Sequence, residues 1–267
     1  MQHKIDVDPL AVQGEEPTRR AEGMGGLVKG LAIIEAFGPS RTRLTISDAA
    51  KATGITPAAA RRCLLTLESL GYLTHDGKYF RATPRMIRLG AAYAEVSTLP
   101  TLAHPCISAV RDEIGETSSL AVLDGDSSLF VARAEAVHMV AAGVRLGTRL
   151  PAYASASGRV LLSGLSDAEL AQHLQGIQPM RTTPNTLVTI SDIRRRVEEA
   201  RVDGFSFTDE ELELGLRTLA VPVKDSAGRV HAAMTVSASA GRISLDVMHN
   251  RFLPVLQAEA VRLGLML

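Results

Sequence analysis

ISDAAKATGITPAAARRCLLTLESLGYLTHDGKYFRATPR, residues 46–85, contains two helical patterns followed by two short β-type runs. The first helical pattern, ISDAAKATG, takes Thr45 or Ser47 as its cap and stops at Gly54. The second opens on Thr56-Pro57, a capping residue followed by proline at the first helical position. Its Ala60, Cys63, Leu64 and Leu67 recur at i, i+3, i+4 and i+7, which makes one buried stripe. Only Gly54, Ile55 and Thr56 separate the two helices, and helices joined so tightly must cross steeply. The β-type runs flank Asp76-Gly77, a hairpin signal. Upstream, LVKGLAIIEAF (27–37) predicts another helix, with Leu27, Leu31, Ile34 and Phe37 on its inner face and a stop at Gly38-Pro39. Three helices and a hairpin make a winged helix-turn-helix over residues 27–85.

Residues 1–26 lack apolar periodicity and read as a disordered lead. Residues 86–100 read as a linker helix that ends before Pro100, and a second unit fills 101–267. In that unit a helix at 102–115 precedes two strands around Asp124-Gly125-Asp126, and a third strand is expected at 139–146. The loop GTRLPAYASAS (147–157) then leads into a helix at 158–165. Further helices are expected at 166–175, 190–203 and 244–263, and two strands at 218–225 and 230–239. Hairpins with helices between them define an α+β fold with a mainly antiparallel sheet.

Composition narrows the function. Of 267 residues 46% are hydrophobic and 22% charged, too apolar for wholesale disorder. No run of 18 apolar residues occurs, so a cytoplasmic protein without a membrane partner is expected. Cys63 and Cys106 stand far apart with no CxxC, which argues against a disulfide framework or a cysteine metal site. The formal net charge of zero is uneven: residues 27–90 carry ten Lys/Arg against four Asp/Glu, whereas 91–267 carry sixteen against twenty. A basic unit suits a polyanion partner.

Enzyme signatures are missing. Ala154-Ser155-Ala156-Ser157-Gly158 has alanine where a nucleophile elbow needs serine, and no phosphate loop or HExxH occurs. No catalytic residue, metal or cofactor is expected. A groove-reading helix needs small or basic residues at its N-terminal end, and Thr56, Ala58, Ala59, Arg61 and Arg62 lie there, off the apolar stripe. Arginine can grip guanine or a phosphate, and alanine can meet a thymine methyl. Arg41 and Arg43 before the first helix of the pair, with Lys78 and Arg81 on the hairpin, suit phosphate contacts.

In the acidic unit, the loop at 147–157 sets Arg149 and Tyr153 beside Ser155 and Ser157 at a helix start. Backbone N–H groups there would face an anion, and Arg149 could pair with a carboxylate. The alternative is that Arg149 makes a structural ion pair and Ser155 only caps the helix. Arg217 is more readily placed against the carboxylates of Asp209–Glu213 than against a ligand.

Three segments resemble the IclR family of bacterial transcriptional regulators: PAAARRCLLTLESLGYL (57–73), LGTRLPAYASASGRVLLSGL (146–165) and DEELELGLRTLAVPVKDSAGRVHAAMTVS (209–237). The second and third are most similar to the branch that controls aromatic-acid catabolism through the β-ketoadipate route. The resemblance implies a winged-helix head, a linker helix and a GAF-like effector domain, assembled as a homodimer or homotetramer on double-stranded operator DNA. It places the effector pocket on Leu150, Ala156 and Ser157, on Thr208, Leu216 and Thr218, and on Thr235 and Ser237. That branch commonly carries arginine near 137–139, where this chain has His138, so His138 or Arg149 would meet the carboxylate. The expected protein is a regulator controlled by a small carboxylate, an aromatic acid or a β-ketoadipate-pathway metabolite. The alternative is a dimeric repressor that needs no ligand.

Overall fold

The computed structural model describes residues 24–38, 41–96, 98–136 and 144–267, and the chain divides into two compact units between Gly90 and Ala91. The first unit contains α1 (Gly25–Glu35), α2 (Ile46–Thr53), α3 (Pro57–Ser69), β1 (Leu73–His75) and β2 (Phe80–Ala82). Thr45 is the cap of α2. Its hydroxyl accepts the Asp48 N–H while the Asp48 carboxylate accepts the Thr45 N–H, and Gly54 ends the helix in the left-handed region at φ 68°. Thr56 caps α3 through the Ala59 N–H. β1 and β2 pair antiparallel, and Leu44 exchanges two backbone hydrogen bonds with Phe80, tying the segment before α2 to the hairpin. Ile33, Leu44, Ala60, Leu64, Leu73 and Phe80 form the fully buried centre.

Helix α1 departs from the expected register. It starts at Gly25, inside the segment read as a lead, and it buries Ile33 with Ile34 and Phe37 alongside, leaving Leu27 and Leu31 exposed. Apolar residues occur nearly all round this helix, so two faces compete. Gly30, Ile33, Ile34 and Phe37 keep the i, i+3, i+4, i+7 spacing and lie inward.

A 3₁₀ turn (Pro84–Met86) leads into α4 (Ile87–Val96), close to the expected linker helix. Pro100 does not mark a helix end. α5 (Thr98–Ile114) runs through it, and proline fits there because the N–H groups of a first helical turn have no intrahelical acceptor.

The second unit is organised around one sheet of β3 (Thr117–Asp124), β4 (Ser127–Ala134), β5 (Arg149–Pro151), β6 (Ser206–Asp209), β7 (Leu216–Lys224) and β8 (Val230–Ser239). The order is β5-β4-β3-β8-β7-β6, and every described pairing is antiparallel. Two of these strands differ from the sequence reading. Arg149–Pro151, expected as loop, pairs with Ser127–Leu129, and Ser206–Asp209, for which no element is expected, pairs with Arg217–Ala220. Most of the strand expected at 139–146 lies outside the described residues, and residues 144–146 are not strand.

Alternation along the strands gives the sheet two different faces. Leu120, Leu219, Val221, Met234 and Val236 pack against α5 and against α10 (Leu253–Gly264), which α9 (Leu245–Val247) and a π-helical turn (Met248–Phe252) precede. On the opposite face the small Ala220 and Ala233 admit α6 (Ala156–Ser163) at close range. α7 (Asp167–Gly176) and α8 (Ile190–Asp203) back α6 through Leu162, Leu170, Leu174, Ile193 and Val197.

Candidate functional site

In the first unit the turn at Gly54 sets the N-terminal half of α3 at the surface, where Thr56, Ala58, Arg61 and Arg62 are exposed. Ala59 is the exception at 5% exposure. Buried in this way, it has no surface to offer a base, contrary to the expectation.

Of the four cations expected to meet phosphates, Lys78 and Arg41 are exposed, and Arg43 and Arg81 are held differently. The Arg43 guanidinium lies 4.2 Å from the Tyr79 ring centroid, with the Lys78 ammonium 5.1 Å from the same ring. This stacking holds two positive charges against one ring, and Arg43 lines an open groove together with Arg41 and Lys51. Arg81 instead sits 3.3 Å from Asp76. The N–H groups of Tyr79 and then Lys78 bond the Asp76 carboxyl and hold its pKa down to about 2, so Asp76 is ionised at neutral pH and offsets the Arg81 charge.

The second unit holds a cavity of about 430 Å³ between the small-residue face of the sheet and the start of α6. Leu150 of β5 contributes to its wall, followed by Ser155, Ala156 and Ser157. Thr208, Leu216, Thr218 and Ser237 complete the expected set along β6, β7 and β8. Phe130, Val144, Pro151 and Leu212 add apolar surface, and Thr148, Thr182 and Glu213 add polar atoms.

Hydrogen-bond donors converge on this space. The Ser155 hydroxyl accepts the Gly158 N–H, which leaves its own hydrogen free to donate. The N–H groups of Ala156 and Ser157 belong to the first turn of α6 and have no acceptor among the described residues, although both residues are buried. Ser157 pairs with Ser128 at 2.7 Å and Thr218 with Ser237 at 3.3 Å. Each hydroxyl pair spends one hydrogen internally and keeps another.

Three expected ligand residues are placed elsewhere, and a fourth falls outside the described residues. Arg149 is half exposed and bonds Asp124 twice, to the carboxylate at 2.9 Å and to the carbonyl at 3.0 Å, so it takes the structural ion pair and is not part of the cavity wall. The Tyr153 ring is buried in the α6–α8 core, and its hydroxyl accepts the Met180 N–H at 2.9 Å. Thr235 is buried, its hydroxyl 3.4 Å from the Ser119 carbonyl. His138 lies outside the described residues. Arg217 binds Asp209 at 2.6 Å and the carbonyls of Ala240 and Ile243, the structural role given to it.

Arg159 was read only as part of a helix, yet it holds the cavity's surroundings together. It is completely buried and donates to both Glu211 oxygens, at 2.9 and 2.5 Å, and to the Tyr153 carbonyl at 3.0 Å. The Glu211 carbonyl accepts in turn from the hydroxyls of Thr183 and Thr186. One network therefore fixes α6, the 182–186 turn and the loop that carries Leu212 and Glu213. An arginine between Gly158 and Val160-Leu161-Leu162 was the available signal, since a charge within an apolar stretch needs a buried partner.

Among the described residues, no group of three or more His, Cys, Asp and Glu stands close enough to hold a metal, and no helix is long and apolar enough to cross a membrane. The family model for the IclR helix-turn-helix domain matches residues 26–77, and that for the bacterial transcriptional regulator IclR C-terminal domain matches 91–263. The Pca regulon regulatory protein of Pseudomonas putida is 37% identical over 238 residues, 89% of this chain and 82% of that protein. A transcriptional regulator from Rhodococcus sp. RHA1 is similar in structure, with a TM-score of 0.78 and 38% identity over 91% of this chain and 97% of that one. A double mutant of the Acinetobacter PobR inducer-binding domain, solved with 3-hydroxybenzoic acid, matches 64% of this chain and all of its own, with a TM-score of 0.61 and 27% identity.

Proposed function

Because the chain belongs to the IclR family of bacterial transcriptional regulators, we propose that its first unit binds operator DNA and its second unit binds a small aromatic carboxylate that controls an aromatic-acid catabolic operon. The two free N–H groups at the start of α6 carry the effector reading, because they give an anion buried donors and a favourable helix dipole. The hydroxyls of Ser155, Ser157, Thr218 and Ser237 add donors, and Phe130, Leu150 and Leu216 supply walls for a ring. Arg149 is spent on Asp124, so the amides take the role first given to it. The PobR domain, solved with 3-hydroxybenzoic acid, supports an aromatic acid in this place.

On this reading Thr56, Ala58, Arg61 and Arg62 face the major groove, and Arg43 and Lys78 meet phosphates, with Arg81 weakened by Asp76. The protein acts in the cytoplasm as a homodimer or homotetramer on a palindromic operator, without catalysis. The effector works by binding one arrangement of the assembly more tightly than another.

Two measurements test this. In gel shifts with the chain's own upstream DNA, replacing both Arg61 and Arg62 by alanine should weaken specific binding by about 2 kcal/mol or more, since each arginine–guanine pair is worth about 1–3 kcal/mol. Unchanged binding would remove α3 as the reading element. In a thermal-shift panel of 4-hydroxybenzoate, protocatechuate, β-ketoadipate, pyruvate and glyoxylate, an effector at 100 times its Kd should stabilise the protein by about 2.7 kcal/mol. Stabilisation by none of these acids would support the alternative, a dimeric repressor that needs no ligand.

A further inference from the structure

The cavity's one ionisable wall residue among those described is an acid. Glu213 lies in the loop between β6 and β7 as an exposed residue of the cavity wall, and its carboxylate has no hydrogen bond or ion pair with any described residue. The flanking chain is held firmly: Glu211 is locked to Arg159, and the Leu216 N–H bonds the Glu213 carbonyl at 3.2 Å. A pocket that takes an anion and also presents a carboxylate repels a second negative charge and favours a ligand with a hydrogen to give. The donors at α6 suit the ligand's carboxylate, whereas Glu213 can only accept.

We infer that Glu213 is the specificity residue of this cavity: it accepts the hydrogen of a ring hydroxyl and turns away ligands bearing a second carboxylate. This rests on the reading of the cavity as an aromatic-carboxylate site and narrows the class to hydroxylated aromatic monocarboxylates. β-Ketoadipate, a dicarboxylate, then falls out of the candidate effectors. A hydrogen bond to a carboxylate is stronger than one between neutral groups, so losing it should cost about tenfold or more in affinity.

Calorimetric titration of the full-length chain with benzoate, 4-hydroxybenzoate, protocatechuate and adipate tests it. The unmodified protein should bind the hydroxylated acids about tenfold more tightly than benzoate and reject adipate. Glu213→Ala should lose that advantage, so that the hydroxylated acids bind no more tightly than benzoate, and Glu213→Gln should retain part of it, because the amide oxygen still accepts. Equal loss for all acids in Glu213→Ala, an unmodified protein indifferent to the hydroxyl, or a preference for adipate would each overturn the assignment of Glu213 alone. Should none of the acids bind the unmodified protein, the aromatic-carboxylate reading falls and takes this inference with it.

Discussion

Glu211→Ala is expected to destabilise the C-terminal unit by about 3–5 kcal/mol, because it leaves the fully buried Arg159 guanidinium without its counter-charge. At about 2–4 °C per kcal/mol for a unit of this size, the thermal midpoint should drop by about 10 °C. The cost comes from breaking the pair rather than from losing its net attraction, and a double variant separates the two. Arg159→Met with Glu211→Leu replaces both charges by apolar groups of similar bulk and should recover most of the lost stability. Calorimetric unfolding of the single and double variants measures the difference, and a single variant within 1 °C of the parent would show that the pair does not hold this region. Because Glu211 also anchors the loop bearing Leu212 and Glu213, the single variant should lose effector affinity even where it remains folded.

The second large effect is expected at Gly158. A Cβ there would stand 2.2 Å from the Cα and carbonyl oxygen of Ala152 and 2.6 Å from its carbonyl carbon. All three contacts are backbone, so no side chain can rotate away. Gly158→Ala must push α6 off the β5–α6 turn, and the cost should reach or exceed the upper end of about 1–3 kcal/mol usual for overpacking. The same shift would misplace the N–H groups of Ala156 and Ser157. Urea unfolding should therefore show a lower midpoint, and the thermal-shift response to hydroxybenzoates should fade with it. Parent-like stability would mean that α6 tolerates displacement.

The head was largely legible because its signals are local: a cap, a three-residue turn and an Asp-Gly hairpin each fix geometry within a few residues. α1 was harder, since it is apolar on several sides and only tertiary packing selects Ile33 over Leu27 and Leu31. In the second unit the central strands β3, β4, β7 and β8 were legible from long apolar runs. The edge strands β5 and β6 are three and four residues long, and their pairing partners rather than their own patterns make them strands. Eight of the twelve expected ligand residues line the cavity; the loop's own composition pointed to Ser155 and Ser157, and the family resemblance supplied the other six. Arg149 and Tyr153 were misplaced because Asp124 and Met180, far off in sequence, claim them. Arg159 escaped notice for the same reason, its partner standing 52 positions downstream.

Thr218 and Ser237 satisfy one another across neighbouring strands, in a sheet whose reverse side is filled by Met234, Val236 and Leu219. Exchanging that hydroxyl couple for two apolar side chains of like shape should be nearly neutral for folding, while each methylene removed from the reverse side costs about 1 kcal/mol. On the proposed effector reading, evolution can therefore retune the cavity at these two positions at little risk to the architecture, whereas the reverse side of the sheet is not free to change.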